Sequence, residues 1–184
     1  MLNKETRDQI VALIKREVVP AIGCTEPIAV ALCVAKATET LGTMPESIDV
    51  LLSGNMLKNA MGVGIPGTGM SGLPIAIALG AIVGKSEYQL EVLKDSTPEH
   101  VEKGKAYIAE NRINISLKEN ITEKLYIEVT VKAGDNAASA IIAGGHTHFI
   151  SITHNGEVLL SSKHENGAEV EDKDIELSLR MVYE

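Results

Sequence analysis

The sequence predicts an α+β domain with a helical N-terminal half, a glycine-rich loop and an antiparallel β-meander in the C-terminal half. Three observations carry that prediction. Up to about residue 111, apolar residues recur at helical spacing or in unbroken runs. From Ile113 onward the period becomes two: Ile113, Ile115 and Leu117 alternate, as do Leu125, Ile127, Val129 and Val131. Asn155-Gly156 then stands before EVLLSS, a pairing typical of a two-residue β-hairpin turn.

Each element follows from its own residues. Ile10, Leu13, Ile14 and Val18 share one helical face over 4–19, and Pro20 ends that helix. Glu26-Pro27 opens a second helix, since proline suits the first turn. The run IAVALCVAKATETL is apolar nearly all round until Lys36, which makes this helix central, and Gly42 stops it. SIDVLLS (47–53) reads as a single early strand, and LKNAM as one turn before the glycines. LPIAIALGAIVG is a second apolar helix with Pro74 in its first turn. YQLEVL is a short helix, and Thr97 caps another that runs to about Asn111. Residues 139–143 and 147–153 complete a sheet with one wet face. The acidic stretch Glu169–Glu176 reads as solvated surface. DIELSLRMVYE still carries apolar residues without a stop signal, as an interrupted element or a terminal edge strand would. The expectation is one domain over 1–184, the N-terminal portion of a longer protein.

Composition limits the function. The hydrophobic fraction is 45%, enough for a core, and aromatics are 3%, so that core is aliphatic. A net charge of −8 argues against nucleic acid, which requires a basic face. No apolar run reaches the roughly 18 residues that a membrane span requires. The polar, helical start MLNKETRDQI is no signal peptide, and two cysteines make no disulfide framework. A cytoplasmic, reducing compartment fits.

The window GNMLKNAMGVGIPGTGMSG holds six of the 16 glycines, among them Gly67 and Gly69 around Thr68. Its flanking Met56, Met61, Val63, Ile65 and Met70 predict partial burial. Buried N–H groups need acceptors, so a backbone nest for a small carboxylate or phosphate stands beside a purely structural tight turn. Gly62 and Gly67 have P-loop spacing, but Thr68 stands where the lysine belongs. Asn55, Lys58 and Asn59 could add side chains, Lys58 to a carboxylate, unless they are simply exposed helical residues.

Cys24 lies in AIGCTEP, at a loop-to-helix junction. The helix dipole there favours the thiolate, the form that acts as base, nucleophile or metal ligand. The competing reading makes Thr25 or Glu26 a cap and Cys24 a buried filler. Cys33, inside an apolar run, reads as core. His146 and His148 would share a strand face and, with His154 on the same hairpin, could bind a metal, against a bland solvated face.

GCTEP followed by KNAMGVGIPGTGMSGLPIAIALGA resembles the N-terminal part of the L-cysteine desulfidase family, related to the alpha chain of iron–sulfur L-serine dehydratases. The resemblance extends through LYIEV and His146-Thr147. It implies an iron–sulfur-dependent lyase performing α,β-elimination on L-cysteine or L-serine, giving pyruvate, ammonia and sulfide or water. It implies that Cys24 is the base or a neighbour of a [4Fe–4S] cluster. Thr25, Glu26, Lys58, Asn59, Gly67, Thr68 and Gly69 would then hold the small amino-acid substrate. Such a cluster takes at least three thiolates, and this chain has two cysteines. A C-terminal half or a partner chain would supply the rest, and the chain alone would hold no metal and be inactive. The alternatives are a non-catalytic module that captures a small carboxylate, or an assembly domain whose aliphatic helices drive homo-oligomerisation.

Overall fold

The structure is a computed structural model that describes residues 2–162 and Ser178. It divides into two compact units, of which the first holds the described residues 2–20 and the second the described residues 21–162. The acidic stretch 169–176 and the apolar segment 175–184 fall outside the described residues, except for Ser178.

In the first unit, α1 spans Lys4–Glu17, with the Asn3 side chain accepting from the Thr6 N–H. The second unit opens with α2 (Thr25–Leu41), whose residues from Pro27 to Ala35 are all buried. That explains why this helix lacks a polar stripe: it is covered on every side. Gly42 caps it in the left-handed conformation.

β1 (Ser47–Leu52) alternates as the sequence does, burying Ile48, Val50 and Leu52. The Ser53 hydroxyl then caps α3 (Gly54–Ala60), a longer helix than the single turn expected. The glycine segment is a small hairpin, β2 (Gly64–Ile65) against β3 (Met70–Ser71). α4 (Leu73–Ile82) follows, then a 3-10 segment over Ser86–Glu91 and α5 (Pro98–Ala109), capped by Thr97. The remaining strands are β4 (Ile113–Leu117), β5 (Tyr126–Ala133), β6 (Asn136–Ala143), β7 (Phe149–His154) and β8 (Glu157–Ser161).

The α+β class holds, with helices towards the N-terminal side and a mostly antiparallel six-stranded sheet in the order β4-β1-β5-β6-β7-β8. Its wiring departs from a simple meander. β1 is not a separate early strand: it sits between β4 and β5, parallel to β4 and antiparallel to β5. The parallel pair needs a long crossover, which the chain from α3 to α5 provides. α2 and α4 pack on one another, and α2 lies on β5 and β6. Their approach is close enough that a Cβ on Gly80 would meet the Ala31 carbonyl oxygen at 2.6 Å. The opposite sheet face carries a polar row, with Asn114, Asp49, Thr130, Ser139 and Thr153 in register across five strands. Among the described residues no helix is long and apolar enough to cross a membrane.

Candidate functional site

The chain enters α2 through Ile22, Gly23 and Cys24. The Ile22 N–H donates to the Leu90 carbonyl at 3.1 Å, which ties this entry to the segment after α4. Gly23 turns at φ +92, and a Cβ there would lie 2.9 Å from the Pro66 ring. The entry to α2 therefore abuts the tip of the glycine hairpin, as close contact between the GCTEP and GIPGTG segments requires.

Cys24 is the N-cap residue of α2, with extended backbone, but its side chain caps nothing. The thiol instead donates to the Glu26 carboxylate at 3.0 Å, and the Thr25 hydroxyl donates to the same oxygen at 3.1 Å. All three side chains are half-buried. The expectation of an acidified thiol is corrected by this geometry. The hydrogen bond to Glu26 and then burial push the Cys24 thiol up from its ordinary value. The same bond holds the Glu26 carboxyl below the usual carboxylate range, and His146 acts on it in the same direction. A carboxylate acceptor at hydrogen-bond distance outweighs the partial charge of the helix end. At neutral pH the resting pair is a protonated thiol beside an ionised carboxylate.

The hairpin is more exposed than its apolar neighbours suggest. Gly62, Gly64, Pro66, Gly67 and Gly69 face solvent, while Ile65 and Thr68 are buried and pin it down. Thr68 serves the turn itself: its hydroxyl bonds the Ile65 carbonyl at 2.7 Å and accepts from the Met70 N–H at 3.0 Å. The N–H groups of Thr68, Met70 and Gly72 are also taken inside the hairpin. The tight-turn reading thus accounts for much of the nest. Asn55, Lys58 and Asn59 are exposed on α3, and no hydrogen bond among the described residues joins them to Cys24, Thr25 or Glu26.

The histidines are placed differently from the sequence expectation. Residues 144–148 form the turn before β7, so His146 and His148 are not alternating strand residues. The His148 ring bonds the Ala143 carbonyl at 3.1 Å, whereas His146 comes within electrostatic reach of Glu26. Sequence reasoning did not join His146 to Glu26, because 120 positions separate them and no local pattern links them.

Cys33 is fully buried with its thiol on the Ala140 carbonyl at 3.3 Å, and burial pushes the thiol up from its ordinary value. That leaves Cys24 as the one accessible thiol among the described residues, and among them no three His, Cys, Asp or Glu side chains group to hold a metal ion. These residues do not fit an iron–sulfur cluster, which takes several thiolates.

Three relatives illustrate what the chain is similar to. It is 68% identical over 183 residues to a UPF0597 protein of Bacteroides fragilis, covering 100% of this chain and 43% of that protein. A UPF0597 protein of Porphyromonas gingivalis is 46% identical over 189 residues, covering 100% of this chain and 44% of its own length. One of Photobacterium profundum is 50% identical over 144 residues, covering 78% and 33%. No protein-family profile matches, and no solved structure does. The chain spans less than half the length of these relatives. Their names correct the resemblance drawn from GCTEP and the glycine run: the similarity that extends across the whole of this chain is to UPF0597 proteins, not to L-cysteine desulfidases or L-serine dehydratases.

Proposed function

We propose that this chain supplies the proton-transfer groups of a lyase acting on a small amino acid such as cysteine or serine. One observation carries the reading: the Cys24 thiol sits 3.0 Å from the Glu26 carboxylate, half-buried, where α2 begins beside the Pro66 hairpin. Groups whose environments push their protonation apart suit acid and base roles on opposite sides of a reaction.

The protonation order supports roles different from those expected of a thiolate base. Glu26, ionised at rest, takes the proton from the substrate α-carbon. Cys24, protonated at rest, gives its proton to the departing sulfide or hydroxide. Glu26 then returns a proton to Cys24 across their hydrogen bond, which restores the pair. The electron pair released from the α-carbon bond drives out the leaving group. The electrophile that eases this step is expected from outside the described residues. Thr25 donates to Glu26 and holds its carboxylate in place.

The test is release of a 2-oxo acid and ammonia from L-cysteine and L-serine by the complete gene product, kept anaerobic. Release that falls by about a hundredfold or more in Glu26→Gln and Cys24→Ala, the scale of general acid–base catalysis, supports the reading. No release from either amino acid, or release untouched by both substitutions, overturns it.

A further inference from the structure

We propose a second small-molecule site, apart from the thiol pair, that binds an α-amino acid with an aliphatic side chain as its zwitterion. The site is a cavity of about 420 Å³ between α2, the 3-10 segment and the start of β7. That volume falls in the range of small-molecule pockets, roughly 300–1,000 Å³. The site begins at Leu32, two helical turns beyond Thr25, and it would stand whether or not Cys24 is catalytic.

Its floor is apolar: Leu32 is fully buried, Ile152 is 6% exposed, and Phe149 is the one phenylalanine of the chain. Its rim carries opposite charges from two different elements, Lys36 of α2 and Glu87 of the 3-10 segment. A simple carboxylate would be drawn to Lys36 and repelled by Glu87, and a simple amine the reverse. A zwitterion satisfies both at once, and the apolar floor then takes its side chain.

The rim residues are built for this. The Glu39 carboxylate accepts from the Ser86 N–H at 2.7 Å and from its hydroxyl, which clamps the 3-10 segment to α2. Glu39 reaches Lys36 only at 3.8 Å, so the ammonium keeps donors for a ligand. Among the described residues Glu87 makes no ion pair. Gln89, also on the rim, holds φ +50 and ψ −122, a region that L-residues rarely occupy. Such backbone costs on the order of 1–3 kcal/mol and gathers at ligand sites. Here it breaks the helical turn and sets Gln89 at the cavity mouth.

Titration calorimetry on this chain with L-leucine, L-leucinamide and 4-methylpentanoate tests the site. L-Leucine is expected to bind, with leucinamide and 4-methylpentanoate each weaker by about tenfold, one charge-assisted contact. Lys36→Met should weaken leucine by a similar factor and tighten leucinamide, whose ammonium Lys36 repels, while Glu87→Gln should weaken leucine and tighten 4-methylpentanoate, whose carboxylate Glu87 repels. Amide NMR shifts at Gln89 and Thr147 should accompany binding. The proposal falls if leucine gives no heat and no shifts, if glycine binds as well as leucine, or if either substitution weakens all three ligands alike. Both variants are at partly exposed rim positions, and a circular dichroism spectrum confirms that each folds. The readout is binding rather than turnover, so it fails or succeeds independently of the lyase reading.

Discussion

Gly23 and Pro66 touch: a Cβ built on Gly23 would come within 2.9 Å of both Cγ and Cδ of the proline ring. This contact seats the entry to α2 against the glycine hairpin, and it depends on the absence of one methyl group. Gly23 also turns at φ +92, so an alanine there meets both a clash and an unfavourable backbone.

Gly23→Ala is therefore expected to destabilise the domain by about 2 kcal/mol, read as a lower urea midpoint. Gly67→Ala is the comparison. It has φ +76 but nothing within 4 Å of the added carbon, so about 1 kcal/mol is expected. Equal effects would mean that the Pro66 contact contributes nothing.

The thiol–carboxylate pair predicts chemistry that a mass spectrometer can follow. Alkylation of Cys24 by iodoacetamide should be slow near neutral pH and accelerate on the alkaline side, since the thiol is raised. Glu26→Gln removes the charge that holds the proton on sulfur, so alkylation at pH 7 should become several-fold faster. A slower reaction in the variant would contradict the assignment of protonation states.

The same pair sets a pH window for stability. Glu26 is lowered in the folded state, so its contribution is present above the ordinary carboxyl value and is lost as pH falls through the lowered one. Cys24 is raised, so its contribution is present below the ordinary thiol value and is lost as pH rises through the raised one. Thermal melts from acid to alkaline pH should show Glu26→Gln losing its disadvantage at both extremes. A constant difference across the range would remove the linkage.

Cys33 should be silent until the domain unfolds. It is enclosed, bonded to Ala140, and raised by burial. In this 184-residue chain a thiol reagent should count one reactive cysteine in the folded state and two in denaturant. Two fast thiols without denaturant would place Cys33 outside the core.

Gly80→Ala probes the α2–α4 crossing. Its Cβ would meet the Ala31 carbonyl oxygen at 2.6 Å, and backbone cannot swing aside as a side chain can. A loss of about 3 kcal/mol is expected from such overpacking, measured by thermal or chemical denaturation. A neutral substitution would show that the two helices lie further apart.

Much of the fold was legible because local rules set it. Pro27 and Pro74 in first turns, Thr97 as cap and Gly42 as stop marked helices that the structure reproduces. Alternation at Ile127, Val129 and Val131 marked the buried face of β5. The place of β1 was not legible. Its alternating residues specify a half-buried strand, and nothing in them names β4 and β5 as neighbours 60 and more positions away.

The site divides the same way. The sequence alone determined that Cys24 stands at the start of a buried helix, because glycine, proline and an apolar run fix that junction locally. Tertiary structure decided what surrounds the thiol: the bonded Glu26 carboxylate, His146 brought round from the turn before β7, and the Pro66 ring against Gly23. The physical reason is range. Helix ends and strand periods arise from interactions within a few residues, whereas the protonation of a thiol follows from whichever charges folding brings within a few ångströms.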